Sequence, residues 1–157
     1  MSDSRETLQV KAVKAALASC TGTGSYTYDL TGNGKIMVGL RAWGHVPEPP
    51  YVIVYSAGTP TEHGGPLGMY SPAHRIGIIA CAPVSSDDPE TGVYAVLDLL
   101  ADIRRALEAD RTLGGTCHDL IIADTPNTPS PWDEPVVGVF GDVLVQLMYQ
   151  RESRNPS

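Results

Sequence analysis

The sequence predicts an α+β fold: one mainly antiparallel or mixed β-sheet packed against two α-helices. Three observations predict it. Two segments carry apolar residues at helical spacing, several short runs are apolar throughout or alternate with period two, and turn residues separate them. A chain of 157 residues fits one domain, since domains usually hold roughly 100–200. That domain is expected over 1–150, with a polar, flexible tail over 151–157.

The first helix is expected from Arg5 to Ser19, with Ser4 as its N-cap and Glu6 in the first turn, where the helix dipole favours negative charge. Val10, Val13 and Leu17, with Ala12 and Ala16 beside them, form a narrow apolar stripe. Thr21-Gly22-Thr23-Gly24 ends the helix. Ser25–Thr31 and Lys35–Trp43 read as the arms of a hairpin around Gly32-Asn33-Gly34, because Asn-Gly tolerates the positive φ of a tight turn. Tyr51–Tyr55 is apolar throughout, so a strand covered on both faces is expected there. A long loop rich in glycine and proline, Ser56–Pro72, leads to a fourth strand over His74–Ala82.

The second helix opens at Asp88-Pro89, an N-cap followed by proline at the first helical position, with Glu90 in the first turn. Val93, Val96, Leu97, Leu100, Ile103 and Leu107 define the expected core face, and Asp98, Asp102, Arg105 and Glu108 the solvent face. Leu113-Gly114-Gly115 lets the chain leave the helix. Thr116–Asp124 reads as a fifth strand, followed by a second punctuated loop, Thr125–Pro135. In the last strand Val137, Val139, Val143, Val145, Leu147 and Tyr149 share one parity, and Phe140, Leu144 and Met148 suggest a second covered surface.

Charge and composition narrow the function. The chain has 18 Asp/Glu against 11 Lys/Arg, a net charge of −7. Phosphate backbones are held by clustered Lys and Arg, and Arg104-Arg105 is the one adjacent basic pair, so no nucleic-acid binding is expected. No run reaches the ~18–20 apolar residues of a membrane helix, and Met1–Glu6 holds no apolar signal core. Cys20, Cys81 and Cys117 are odd in number, with no Cys-x-x-Cys, which fits reduced thiols in a cytoplasm.

No motif supplies clear chemistry. Gly32-Asn33-Gly34-Lys35 glances at a phosphate loop, but Asp29 and Ile36 stand where that pattern needs Gly and Ser/Thr. Cys117-His118-Asp119 sets reactive types side by side, yet strand neighbours point to opposite faces, so a buried Cys117 and a solvent-side His118 are expected. Asp87, Asp88 and Glu90 lack the ligand alternation of a Ca²⁺ loop and read as helix capping. His45, His63, His74 and His118 lack zinc-ligand spacing. Local sequence brings no nucleophile, base and oxyanion donor together, so neither catalysis, metal nor cofactor is expected. The candidate protein-contact residues are Trp43, His63, Met69, Tyr70, Arg104, Arg105, Trp132 and Asp133. Tryptophan is enriched at interface hot spots. The plainer alternatives are Trp132 docking on its own domain, a solvated His63, and Arg104-Arg105 as a solvated helix face.

The stretch Leu99–Gly115, with its run Ile103-x-x-Ala106-Leu107-x-x-Asp110-x-Thr112-Leu113-Gly114-Gly115, resembles the tail-terminator (minor tail protein U-like) family of long-tailed phages. The order of elements is similar too: an N-terminal helix, Pro followed by Val52-Ile53-Val54-Tyr55, the strand from His74, and a closing Val145-Gln146-Leu147-Met148-Tyr149. The likeness covers roughly residues 50–150. The Asn-Gly turn and the loop around Trp132 depart from the family pattern, so ring contacts are not carried over to them. The resemblance implies a hexameric ring of this chain on the head-proximal end of the tail tube. There it would stop tube-protein polymerisation and present a surface to the neck or head-completion protein, in the virion tail after assembly in the host cytoplasm. The alternatives are a neck or head–tail joining protein, a small thiol-dependent enzyme centred on Cys117, and a small-molecule-binding domain.

Overall fold

A computed structural model describes residues 3–39, 46–58, 73–83, 89–126 and 138–148. In chain order the elements are α1 (Arg5–Leu17), β1 (Ile36–Val38), β2 (Tyr51–Ser56), β3 (Ala73–Pro83), α2 (Pro89–Glu108), β4 (Asp119–Pro126) and β5 (Gly138–Met148). The five strands form one sheet in the order β1-β2-β3-β5-β4. β1 runs parallel to β2, and every other neighbouring pair is antiparallel. The fold is therefore α+β with a mixed sheet.

Register explains the layers. Val52 lies opposite Ala80 and Val54 opposite Ile78, while Ile76 faces Val145 and Leu120 faces Leu147. These residues share one face of the pleat and are buried with Val13 and Leu17 of α1 and Val96, Leu99, Leu100, Ile103 and Leu107 of α2. Both helices thus cover the same face. On the opposite face a smaller cluster joins Met37, Tyr51, Ile53 and Cys81, with Val46, Ile79 and Phe140 against it. β2 is covered on both sides, as its unbroken apolar run predicts, and Phe140 gives β5 its second packed surface.

Ser4 caps α1 as expected: its hydroxyl accepts from the Thr7 N–H at 3.1 Å. The hairpin, however, does not form. A turn exists, with the Lys35 N–H donating to Gly32 O, but residues 25–31 are not a strand. Their one bridge is Thr21–Asp29, because the Thr27 and Tyr28 N–H groups donate to Asp102 instead of to a strand partner. Ile36–Val38 pairs in parallel with β2, and residues 40–43 of the expected arm lie outside the described residues.

Two further differences concern α2 and its exit. Val93 and Leu97, expected in the core, are 39% and 46% exposed, whereas Asp102, expected in solvent, is 1% exposed. Apolar residues cover more than half the circumference of this helix, so periodicity alone does not select the side that meets the sheet. β4 starts at Asp119 rather than Thr116 because Leu113, Gly114 and Gly115 take three successive positive φ angles of 46°, 69° and 85°. Only glycine adopts such angles at little cost, and the turn they make occupies the chain to Cys117, whose N–H donates to Thr112 O.

Candidate functional site

Of the candidate contact residues, Trp43, His63, Met69, Tyr70, Trp132 and Asp133 lie outside the described residues, as do His45, Asp87 and Asp88. Arg104 and Arg105 are described, and neither is a merely solvated basic face. Arg104 donates to Asp124 of β4 at 2.8 Å and pairs with Glu108 one turn along at 3.5 Å. The bond to Asp124 is the main cause of a guanidinium pKa above its ordinary value. Arg105 reaches Asp102 at 3.5 Å, donates to Ser25 O, and lies over the Tyr26 ring 6.0 Å from its centroid. One arginine clamps α2 to the sheet edge; the other clamps it to the 20–31 segment.

Asp102 is the centre of the second clamp. One carboxylate oxygen accepts the Thr27 and Tyr28 N–H groups at 2.9 and 2.8 Å, and the other sits 3.1 Å from the same Thr27 N–H. Two backbone donors of the segment are satisfied by one side chain. The thiol of Cys20 approaches the Asp102 carbonyl at 3.8 Å, and burial pushes that thiol up to about 12.

All three cysteines are buried and free. Cys117 Sγ donates to Arg111 O at 3.5 Å, and burial, reinforced by Asp119 and Asp110, raises its pKa. Cys81 is pushed up to about 11, again mainly by burial. His118 is exposed while Cys117 is buried, so the two neighbours part as expected, although both lie in the turn before β4 rather than in the strand. A raised pKa leaves little thiolate at neutral pH. N-ethylmaleimide should therefore leave Cys117 unmodified in the folded protein and modify it once denaturant is added; rapid modification of the native thiol would revive the thiol-enzyme alternative.

The turn after α2 is a built unit. Asp110 accepts from the Thr112 N–H at 3.1 Å, the Thr112 hydroxyl at 2.7 Å and the Gly114 N–H at 2.9 Å. These bonds hold its carboxyl below the ordinary range. Leu113 tucks into the core. Arg111 then reaches forward to Asp119 at 2.8 Å and to Leu120 O at 2.6 Å, fastening the start of β4.

A polar relay that local sequence does not disclose crosses the helix-facing side of the sheet. Gln9 of α1 and His74 of β3 are fully buried. The Gln9 amide donates to Thr116 O at 2.9 Å, which turns its Oε1 toward His74 Nδ1, also at 2.9 Å. An amide oxygen can only accept, so Nδ1 carries the hydrogen and Nε2 is left as the acceptor. Ser56 Oγ lies 2.8 Å from that Nε2, at the exposed end of β2. The Gly58 N–H points at the same oxygen from 3.4 Å. Folding thus joins a hydroxyl, an imidazole and an amide that the sequence keeps far apart.

Burial pushes His74 below its ordinary 6.5, while the charge of Glu6 pulls the other way. The folded chain then binds this proton less readily than the unfolded chain, so the stability contributed by His74 is full above about pH 6.5. It is lost as pH falls through the depressed value. Urea midpoints at about pH 7.5 and about pH 5.5 should separate more for the wild type than for His74→Gln; equal separations would remove His74 from the pH dependence.

Outside these networks α2 presents Val93, Tyr94 and Leu97 to solvent, with the Tyr94 hydroxyl donating to Glu90 at 2.5 Å. Ile121 is exposed on edge strand β4, and Val38 on edge strand β1. Among the described residues no three His, Cys, Asp or Glu side chains are placed to hold a metal ion, and no helix is long and apolar enough to cross a membrane. No protein-family model matches this chain, and no curated protein matches it.

Proposed function

We propose that this protein is a structural component of a long phage tail, a terminator that assembles as a hexameric ring on the head-proximal end of the tail tube. The ring stops tube polymerisation and offers the neck its docking surface. The observation that carries the reading is the Ile103–Gly115 run. Ile103, Ala106, Leu107 and Leu113 pack in the core, Asp110 ties the turn, and Gly114 and Gly115 take the left-handed angles that return the chain to β4. The run that resembles the terminator family thus forms one structural unit, the end of α2 and its return to β4.

Two other features support it. A closed ring needs unlike patches on the two sides of each subunit, and this fold has exposed apolar residues at Val93, Tyr94 and Leu97 and, separately, on the two edge strands. A charge of −7 per subunit keeps a DNA-conducting channel from holding its passenger, because carboxylate and phosphate repel. Electron microscopy of the purified protein, alone and with its tube protein, should give class averages with six-fold symmetry. A protein that stays monomeric in both samples contradicts the proposal.

A further inference from the structure

Beyond the ring reading, and independent of it, we propose that Ser56 is an activated nucleophile, with His74 as its base and Gln9 as the residue that positions the imidazole, and that it accepts the acyl group of small esters. Three observations carry this. The Ser56 Oγ to His74 Nε2 distance of 2.8 Å and the His74 Nδ1 to Gln9 Oε1 distance of 2.9 Å give the nucleophile–base–orienter order of acyl-transfer sites. The Gln9 amide is itself locked by Thr116 O, so the imidazole tautomer that leaves Nε2 free to take a proton is set by the fold. The relay also runs outward: Gln9 and His74 are fully buried, but Ser56, Ala57 and Gly58 are exposed, so an ester can reach the hydroxyl.

Ser56 Oγ attacks the ester carbonyl as its proton passes to His74 Nε2, and the carbonyl oxygen takes the negative charge. The Gly58 N–H, which points at Oγ from 3.4 Å, is a backbone donor beside the attacking oxygen. Gly58 holds this place at φ 94°, a left-handed angle that side-chain-bearing residues rarely adopt. The carbonyl reforms, the bond to the alcohol oxygen breaks, and Nε2 returns the proton to the departing alcohol. Acyl-Ser56 remains. Water, deprotonated by the same nitrogen, then releases the acid and restores the serine. The buried imidazolium of each half-step is held by Gln9 Oε1 and by the charge of Glu6 on α1.

The test uses the full chain with p-nitrophenyl acetate and, separately, a fluorophosphonate probe, the adduct being located by peptide mass spectrometry. One adduct per chain is expected at Ser56, formed about 100-fold faster than at any other serine. Ser56→Ala removes it, and His74→Gln slows it by about 100-fold. Gln9→Leu, which leaves the Nδ1 hydrogen without its acceptor, lowers the rate and displaces its pH profile. Labelling of wild-type Ser56 no faster than of other exposed serines overturns the proposal, and that result needs no variant to fold. An unchanged rate and pH profile in Gln9→Leu overturns the positioning role.

Discussion

Replacing Asp102 with alanine is expected to cost about 2–3 kcal/mol, because a buried carboxylate that accepts two backbone N–H groups is lost while its cationic partner, Arg105, stays half exposed and solvated. The side chain is 1% exposed and accepts the N–H groups of Thr27 and Tyr28 while facing Arg105. Alanine removes the buried acceptor that both donors share, but Thr27 is exposed and Tyr28 half-buried, so water takes up part of what hydrogen bonds to a charged group are worth, about 1.5–3 kcal/mol each. The loss should fall in the 20–31 segment and its seam with α2. Asparagine keeps the shape but turns one acceptor into a donor, so Asp102→Asn is expected to lie between wild type and alanine. Urea denaturation gives the comparison directly, and equal stability of the three proteins would show that the segment is held by other means.

Gly141→Val is expected to cost about 1–3 kcal/mol through overpacking. A Cβ at this position of β5 would lie 3.0 Å from both Leu100 methyls and 3.1 Å from Val96 Cγ2. Leu100 and Val96 are themselves buried in the α2 contact, so neither has free space to retreat into. Valine adds two methyls beyond that Cβ, and α2 must lift from the sheet to admit them. Alanine asks its neighbours to give only a few tenths of an ångström and should be much milder. Thermal melts resolve the difference, since for a chain of this length each kcal/mol moves Tm by about 2–4 °C. A valine variant as stable as wild type would mean the helix is not seated against Gly141.

What could be read in advance follows the range of the forces involved. Ser4, the apolar run of β2 and the parity of β5 are local signals, and each places its element. The expected hairpin does not form because the Asn-Gly turn is local chemistry while the carboxylate that captures its upstream arm lies about 75 residues away, at Asp102. On α2 the apolar residues were found but not the side that meets the sheet, because the helix is apolar around more than half its girth. The Ser56–His74–Gln9 relay spans separations of 18 and 65 residues, beyond any spacing rule. A signal was nonetheless present. Gln9 stands four residues before Val13 on the apolar stripe of α1, and His74 shares the parity of Ile76 and Ile78. A polar residue at a core position has to find a buried partner, and these two found each other.

The thiol reading drew attention to Cys117 because cysteine, histidine and aspartate are adjacent there. In the fold Cys117 is buried and His118 exposed, and burial raises the thiol's pKa. The residues that do meet are a serine, a histidine and a glutamine from three different elements.

We propose that this chain limits the growth of a tail tube, and the most direct measurement is tube length. Tube protein polymerising in the presence of increasing amounts of this chain should give tubes whose mean length falls and then stays fixed, with one ring at an end. Unlimited growth at saturating amounts would contradict the terminator reading, and binding to the capsid portal complex without any effect on length would assign the chain to the neck instead.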